Sequence, residues 1–280
     1  MMTPIINNIN KYFKIYLPNI QSSWILIFSF IIGGSILSFA SSKLISDNIL
    51  LTYITSFIPT LCFIYIVAKK QIKHTAIPIS KSNFGKINPV IFFAIIAISM
   101  LSISVIIDPL TTLIPMPQYI KDLFESLLSG NSIWQVITIV IAAPILEELL
   151  LRGVIERGII YNNGAKKAIF WSAFLFAFIH LNPWQGAAAF IFGLFIGWIY
   201  WRTHSIFACI FIHFINNGSS ILISKIFPNI PSDSSIQEIL NPINPYAYPI
   251  LFTISLLILT LSLLILNKRL SKASTLFMVE

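Results

Sequence analysis

Six polar side chains in this 280-residue chain stand in runs that are otherwise apolar. Glu147 and Glu148 interrupt the run 137–151, which Arg152 closes; His180 ends the run 174–179; His213 and Asn217 lie inside 210–218. On a helix, Glu148 and Arg152 share a face, as do Phe176 with His180 and His213 with Asn217, because all three pairs are i,i+4. Glu147 is turned about 100° from Glu148, so the two carboxylates are expected to point at different neighbours. Gathered around one pocket, this set could hydrolyse a bond. A carboxylate in apolar surroundings can take a proton from water, and an imidazole can orient that water or donate. A second imidazole with an amide can donate to a developing oxyanion. Each group also has a plain structural reading. Glu148 can simply pair with Arg152, Arg152 can snorkel, His180 can sit at an interface, and His213 with Asn217 can join helices by hydrogen bonds. None of these readings employs Glu147. His74 and His204 fall in polar loops and are assigned nothing.

The elements that must position these groups are membrane helices. Hydrophobic residues make up 56% of the chain and charged residues 10%, against roughly 25% charged in soluble domains. So few charges cannot cover a globule of this size. A soluble enzyme, a disordered regulator and a secreted disulfide scaffold are excluded, and the net charge of +8 is read as loop charge and not as a nucleic-acid surface. Cys62 and Cys209 lie in apolar runs and form no framework. A crossing needs about 20 apolar residues, and candidates fall at 24–46, 49–68, 89–110, 133–160, 167–181, 185–201, 205–225 and 247–267. The expected fold is therefore all-α, a polytopic bundle of eight transmembrane helices. Asn182-Pro183 makes a tight turn between the fifth and sixth, and 117–130 reads as an amphipathic interfacial helix. In the sixth, Ala189, Gly193 and Gly197 form a small-residue ridge, and Trp198, Tyr200 and Trp201 read as an interfacial belt.

Lys and Arg set the expected orientation. Fifteen of the eighteen fall in the N-terminal tail, the 69–88 loop, the 152–167 region, Arg202 and the C-terminal tail, leaving Lys43, Lys121 and Lys225 on the alternate side. Both termini are thus expected in the cytoplasm. Asp47, Asp108, Asp122, Glu125, Asp233 and Glu238 all fall opposite. Lys11 and Lys14 ahead of a run reaching Ser38-Phe39-Ala40 also resemble a signal peptide; the first span is read as retained.

Three motifs carry a resemblance. Glu147-Glu148-Leu149-Leu150-Leu151-Arg152 matches EExxxR, Phe176-Ala177-Phe178-Ile179-His180 matches FxxxH, and His213-Phe214-Ile215-Asn216-Asn217 matches HxxxN. In this order the chain resembles the CPBP family (CAAX proteases and bacteriocin-processing enzymes, also called Abi), related to the type II CAAX prenyl endopeptidase. The resemblance covers about 130–225. It implies an intramembrane endopeptidase in which Glu147 activates the water, His180 helps hold it, His213 and Asn217 stabilise the oxyanion, and Glu148 and Arg152 support the site. The organisation that follows is 1–129 as three spans with an interfacial helix, 130–225 as the catalytic core, and 226–280 as a loop and last span.

Metal-free hydrolysis is the favoured chemistry. Zinc is the alternative cofactor, since Glu147, His180 and His213 could hold it with one position open, although the chain has no HExxH. The expected partners are the bilayer and a membrane-associated protein or peptide substrate, with no nucleic acid. Compact size and the lack of an organelle signal point to a prokaryotic cell membrane. Two rival functions are a non-catalytic bacteriocin-immunity or membrane-assembly protein and, less favoured, an ion-coupled transporter, which would want repeated halves. Counting about 1.5 Å per residue puts Glu147 and His213 about 10 and 12 Å from the cytoplasmic end, but Asn217 and His180 about 18 and 20 Å. The site is expected in one cavity open to the cytoplasm or laterally to lipid.

Overall fold

The computed structural model describes residues 18–44, 48–69, 82–111, 113, 115–129, 132–227, 229, 231 and 234–270. Lys11, Lys14, His74, Asp47, Asp233 and the charges of the C-terminal tail beyond Leu270 lie outside the described residues. Apolar runs become helices because lipid leaves backbone N–H and C=O groups no partner except one another. In order these are α1 (Ile20–Leu44), α2 (Ile49–Lys69), α3 (Pro89–Thr111), α4 (Gln118–Ser129), then α5, which runs over Ile133–Asn163 in five stretches. They are followed by α6 (Ala165–Ile179), α7 (Pro183–Thr203), α8 (Ile206–Ile226), α9 (Ile236–Leu240) and α10 (Ala247–Arg269). There is no strand among the described residues.

Among the described residues, six helices are long and apolar enough to cross a bilayer: Ile20–Lys43, Pro89–Leu110, Ile133–Asn163, Pro183–Thr203, Ile206–Ile226 and Ala247–Arg269. This makes the chain an integral membrane protein. The other two expected crossings are shorter. The apolar part of α2 is the shorter Ile49–Ile64, and α6 has 15 residues, a rise of about 22 Å. Pro183 is the reason α6 is short: the chain must leave the helix before it, and Asn182 then caps α7 by accepting from the Gln185 N–H at 2.9 Å.

The two ends of the bundle are distinct. At one, Lys86 N–H donates to Arg269 O (3.0 Å), Asn83 N–H to Thr203 O (2.9 Å), and Asn162 Nδ2 to Pro18 O (3.2 Å); exposed Lys166, Lys167, Lys268 and Arg269 gather here. At the other, Trp184 Nε1 donates to Pro115 O (3.3 Å), and Ile236 N–H donates to the Asp108 carboxylate (2.9 Å). Three residues counted as loop charges are not so. Arg152, Arg157 and Arg202 are buried, and Arg202 donates to Asn267 Oδ1 (2.7 Å) and to the Asn267 and Leu270 carbonyls, fastening α7 to α10. Tyr200 is buried as well, so it belongs to the interior and not to an interfacial belt.

The small-residue ridge of α7 works through close approach. A Cβ on Gly193 would lie 2.8 Å from the Ala173 Cα, and one on Gly197 would lie 3.0 Å from Glu156 Oε2. Without side chains there, α7 can pack onto α6 and onto the acidic residues of α5.

Candidate active site

Helix α5 carries both carboxylates, and its backbone is irregular on either side of them. Thr138–Ala142 and Leu151–Glu156 are π turns flanking the regular Ala143–Leu150. Pro144 accounts for the first, since it has no N–H to donate and its ring crowds the carbonyl one turn back; a widened turn relieves both faults. The widened turn also presents a carbonyl outward, and Ile139 O accepts from Asn217 Nδ2 at 2.9 Å. One Asn217 N–H is thereby used, while its Oδ1 accepts from Asn216 Nδ2 at 3.0 Å.

Helix α8 begins at Ser205, whose hydroxyl accepts from the Ala208 N–H at 3.1 Å. Two turns later His213 meets both carboxylates, contrary to the expectation that they point at different neighbours. Its Nδ1 lies 2.9 Å from Glu148 Oε1 and its Nε2 lies 4.0 Å from Glu147 Oε2. Glu148 is fully buried; its Oε1 accepts from Arg152 Nη1 at 2.9 Å, and its Oε2 lies at ion-pair distance, 2.9 Å, from the same nitrogen. An arginine-paired carboxylate accepts, so His213 must carry a proton on Nδ1, which leaves Nε2 to face Glu147. Glu147 itself remains 17% exposed, and the gap to His213 is too long for a direct hydrogen bond but suits a bridging water.

His180 follows the last turn of α6. Its Nδ1 donates to Phe176 O at 2.9 Å, as only a protonated nitrogen can toward a carbonyl, so its Nε2 is also turned outward. Asn182 Nδ2 donates to His180 O at 2.9 Å and fixes the turn. The Phe176 ring joins the parts: His180 and His213 both meet it edge-on at 5.2 Å between centroids, and the Arg152 guanidinium lies 5.1 Å from its centre.

Sequence reasoning missed Glu156. This fully buried carboxylate lies 3.5 Å from Arg152 Nε and accepts from the Ser172 hydroxyl at 2.9 Å. Glu148, Arg152 and Glu156 thus form one buried acid–base–acid ladder, completed by Arg152 Nη2 donating to Gly193 O at 3.1 Å. The signal was the unbroken i,i+4 series, which stopped being followed at Arg152.

A cavity of about 500 Å³ adjoins the site, and Phe176, His180, His213 and Asn217 line it. Glu147 is outside the lining and reaches it through His213. The rest of the wall comes from α3, α7, α8 and the segment 231–239, including Asp108, Trp184 and Phe227. These belong to the end of the bundle opposite the one that gathers Lys166, Lys167, Lys268 and Arg269. Among the described residues no group of three His, Cys, Asp or Glu side chains is placed to hold a metal ion. Among curated proteins and solved structures, nothing matches the chain. Residues 129–219, the stretch that holds both carboxylates, both histidines and Asn217, match the family described as type II CAAX prenyl endopeptidase Rce1-like, and over that segment the chain is similar to this family, as its three motifs imply.

Proposed function

We propose that the chain is an intramembrane endopeptidase that hydrolyses peptide bonds of membrane-associated proteins or peptides through a water activated by Glu147. The observation that carries this reading is the Glu147 carboxylate facing His213 Nε2 across 4.0 Å while Glu148 holds Nδ1. A water between them can give its proton to Glu147 as its oxygen attacks the scissile carbonyl carbon. His180, with Nε2 unprotonated, accepts from the same water. The second N–H of Asn217 donates to the oxyanion, and His213 adds a donor when Nε2 carries a proton. Collapse of the intermediate breaks the C–N bond, and the Glu147 carboxyl returns the proton to the leaving amine. No metal takes part in this sequence. The segment 130–225 is the catalytic core, 1–129 and 226–280 frame it, and all eight apolar helices cross with both termini cytoplasmic, α2 and α6 being short crossings. The compact bundle fits a prokaryotic plasma membrane.

The test compares membrane proteomes of cells carrying the wild type and Glu147→Gln. Substrate precursors should accumulate in the variant at equal protein level. If no membrane protein changes length, the protease reading fails and the non-catalytic immunity or assembly role takes its place.

A further inference from the structure

We infer that the place where α3 begins and α10 stops is a binding site for an anionic phospholipid, with its phosphate on Lys86, Lys268 and Arg269 and its acyl chains along α3 and α10. The site lies outside the hydrolytic machinery and does not depend on the protease reading. Its cations are brought together by the backbone. The turn before α3 is fixed at two points: Asn83 N–H donates to Thr203 O at the end of α7 (2.9 Å), and Lys86 N–H donates to Arg269 O at the end of α10 (3.0 Å). Within the turn, Gly85 takes a φ of 61° and donates its N–H to Asn83 Oδ1 at 2.9 Å. The Phe84 ring stacks on Phe92 at 4.5 Å between centroids. Lys86 is thus held beside Lys268 and Arg269, and all three residues are exposed.

Basic side chains at a helix C-terminus usually serve its last carbonyls. Here that task is already done. The Asn267 and Leu270 carbonyls accept from Arg202 at 3.1 Å, Leu266 O accepts from the Leu270 N–H at 2.9 Å, and Arg269 O takes the Lys86 N–H. Arg202 also puts a fourth positive charge beneath the three. Among the described residues no ion pair engages Lys86, Lys268 or Arg269. The carboxylates of α5 are within the bundle, and those of α3, α4 and α9 belong to its other end. A negative group that relieves the mutual repulsion must come from outside.

What lies next to the cations makes that group part of a lipid. Leu264 and Ile265 precede Lys268 and Arg269 by four residues, so they stand on the same faces one turn inward, and both are exposed. Val90 and Ile91, at the start of α3, are exposed as well. The two helices run side by side, with the Tyr248 hydroxyl donating to Val105 O at 3.0 Å toward their other ends. The cations therefore end an exposed apolar surface. A free phosphate would use only the charges, whereas a phospholipid uses both.

The full chain in detergent is titrated with dioleoyl phosphatidylglycerol, with dioleoyl phosphatidylcholine and with inorganic phosphate, and bound lipid is counted by native mass spectrometry. The first phosphatidylglycerol should bind about 100-fold more tightly than phosphatidylcholine, as three cations each worth about fivefold would make it. Lys86→Gln keeps its backbone N–H, and it and Arg269→Gln should each lose about fivefold. Adding Lys268→Gln to both should abolish the preference with the lipid-free melting temperature unchanged. Lys166→Gln with Lys167→Gln, on α6 at the same end, should keep it. Equal affinity of the wild type for the two lipids, a preference that survives the triple variant, or its equal loss in the α6 variant would overturn the inference. So would displacement of phosphatidylglycerol by inorganic phosphate at matched concentration, which would make the site one for a free anion. Should the triple variant melt lower, the two single variants decide, by losing affinity or keeping it.

Discussion

Two regions of α5, one residue apart at their start, treat their charges in opposite ways. The ladder of Glu148, Arg152 and Glu156 is closed: its members are fully buried and bound to one another, to Ser172 and to Gly193 O. The cluster of Glu147, His180 and Asn217 is open: Glu147 keeps some exposure, its nearest base is 4.0 Å away, and both histidines turn Nε2 outward. His213 belongs to both, held by the ladder through Nδ1 and offered to Glu147 through Nε2. Charges paired among themselves make a rigid support, whereas a carboxylate and an imidazole held apart leave room for a water and a substrate carbonyl.

The contrast breaks most visibly at Glu147. Glu147→Gln should lower turnover by about 10²–10⁴-fold, the usual range for removing a general base, with the melting temperature in detergent nearly unchanged. A large fall in melting temperature would move Glu147 into the support. Arg152→Ala should do the opposite, costing about 3–5 kcal/mol of stability because it strands two buried carboxylates; folding yield in membranes measures it. If Arg152→Ala accumulated normally and lost only turnover, the ladder would not be structural. Ser172→Ala removes one donor from Glu156 and should cost about 1.5–3 kcal/mol, read as a lower denaturation midpoint with turnover per folded molecule retained. The smallest expected effect is none at all. Exhaustive chelation should leave peptide cleavage intact and purified protein without stoichiometric zinc; loss on chelation with recovery on added zinc would convert Glu147, His180 and His213 into ligands.

How much of this was readable in the sequence depends on which physics was local. Helices and their ends follow from apolar runs, from Pro183 and from the Asn182 and Ser205 caps, all local features. The Glu148–Arg152 pair follows from i,i+4 spacing. The second π turn does not, because no proline stands near Leu151–Glu156 and the apolar periodicity around it looks ordinary. The two carboxylates keep the roughly 100° of adjacent residues on the regular Ala143–Leu150 stretch, and His213 reaches both because its two ring nitrogens face different ways. Arg152, Arg157 and Arg202 were counted as loop charges because nothing in composition distinguishes an arginine near a helix end from one folded back under it. The depth count put Glu147 level with His213, as observed, but could not bring His180 to them, since the Phe176 ring that links the two histidines is a tertiary contact.

The shortness of α6 has a consequence for the lipid. On the proposed crossing of α6, a helix rising about 22 Å in a hydrocarbon layer of about 30 Å leaves a mismatch that the bilayer relieves by thinning beside it. The turn at His180–Gln185 lies on this thinned side, with Trp184 and Gln185 on the cavity wall. A segment too polar to enter undisturbed lipid would then meet a lowered barrier beside the place where the proposed hydrolysis needs a peptide bond and a water molecule together.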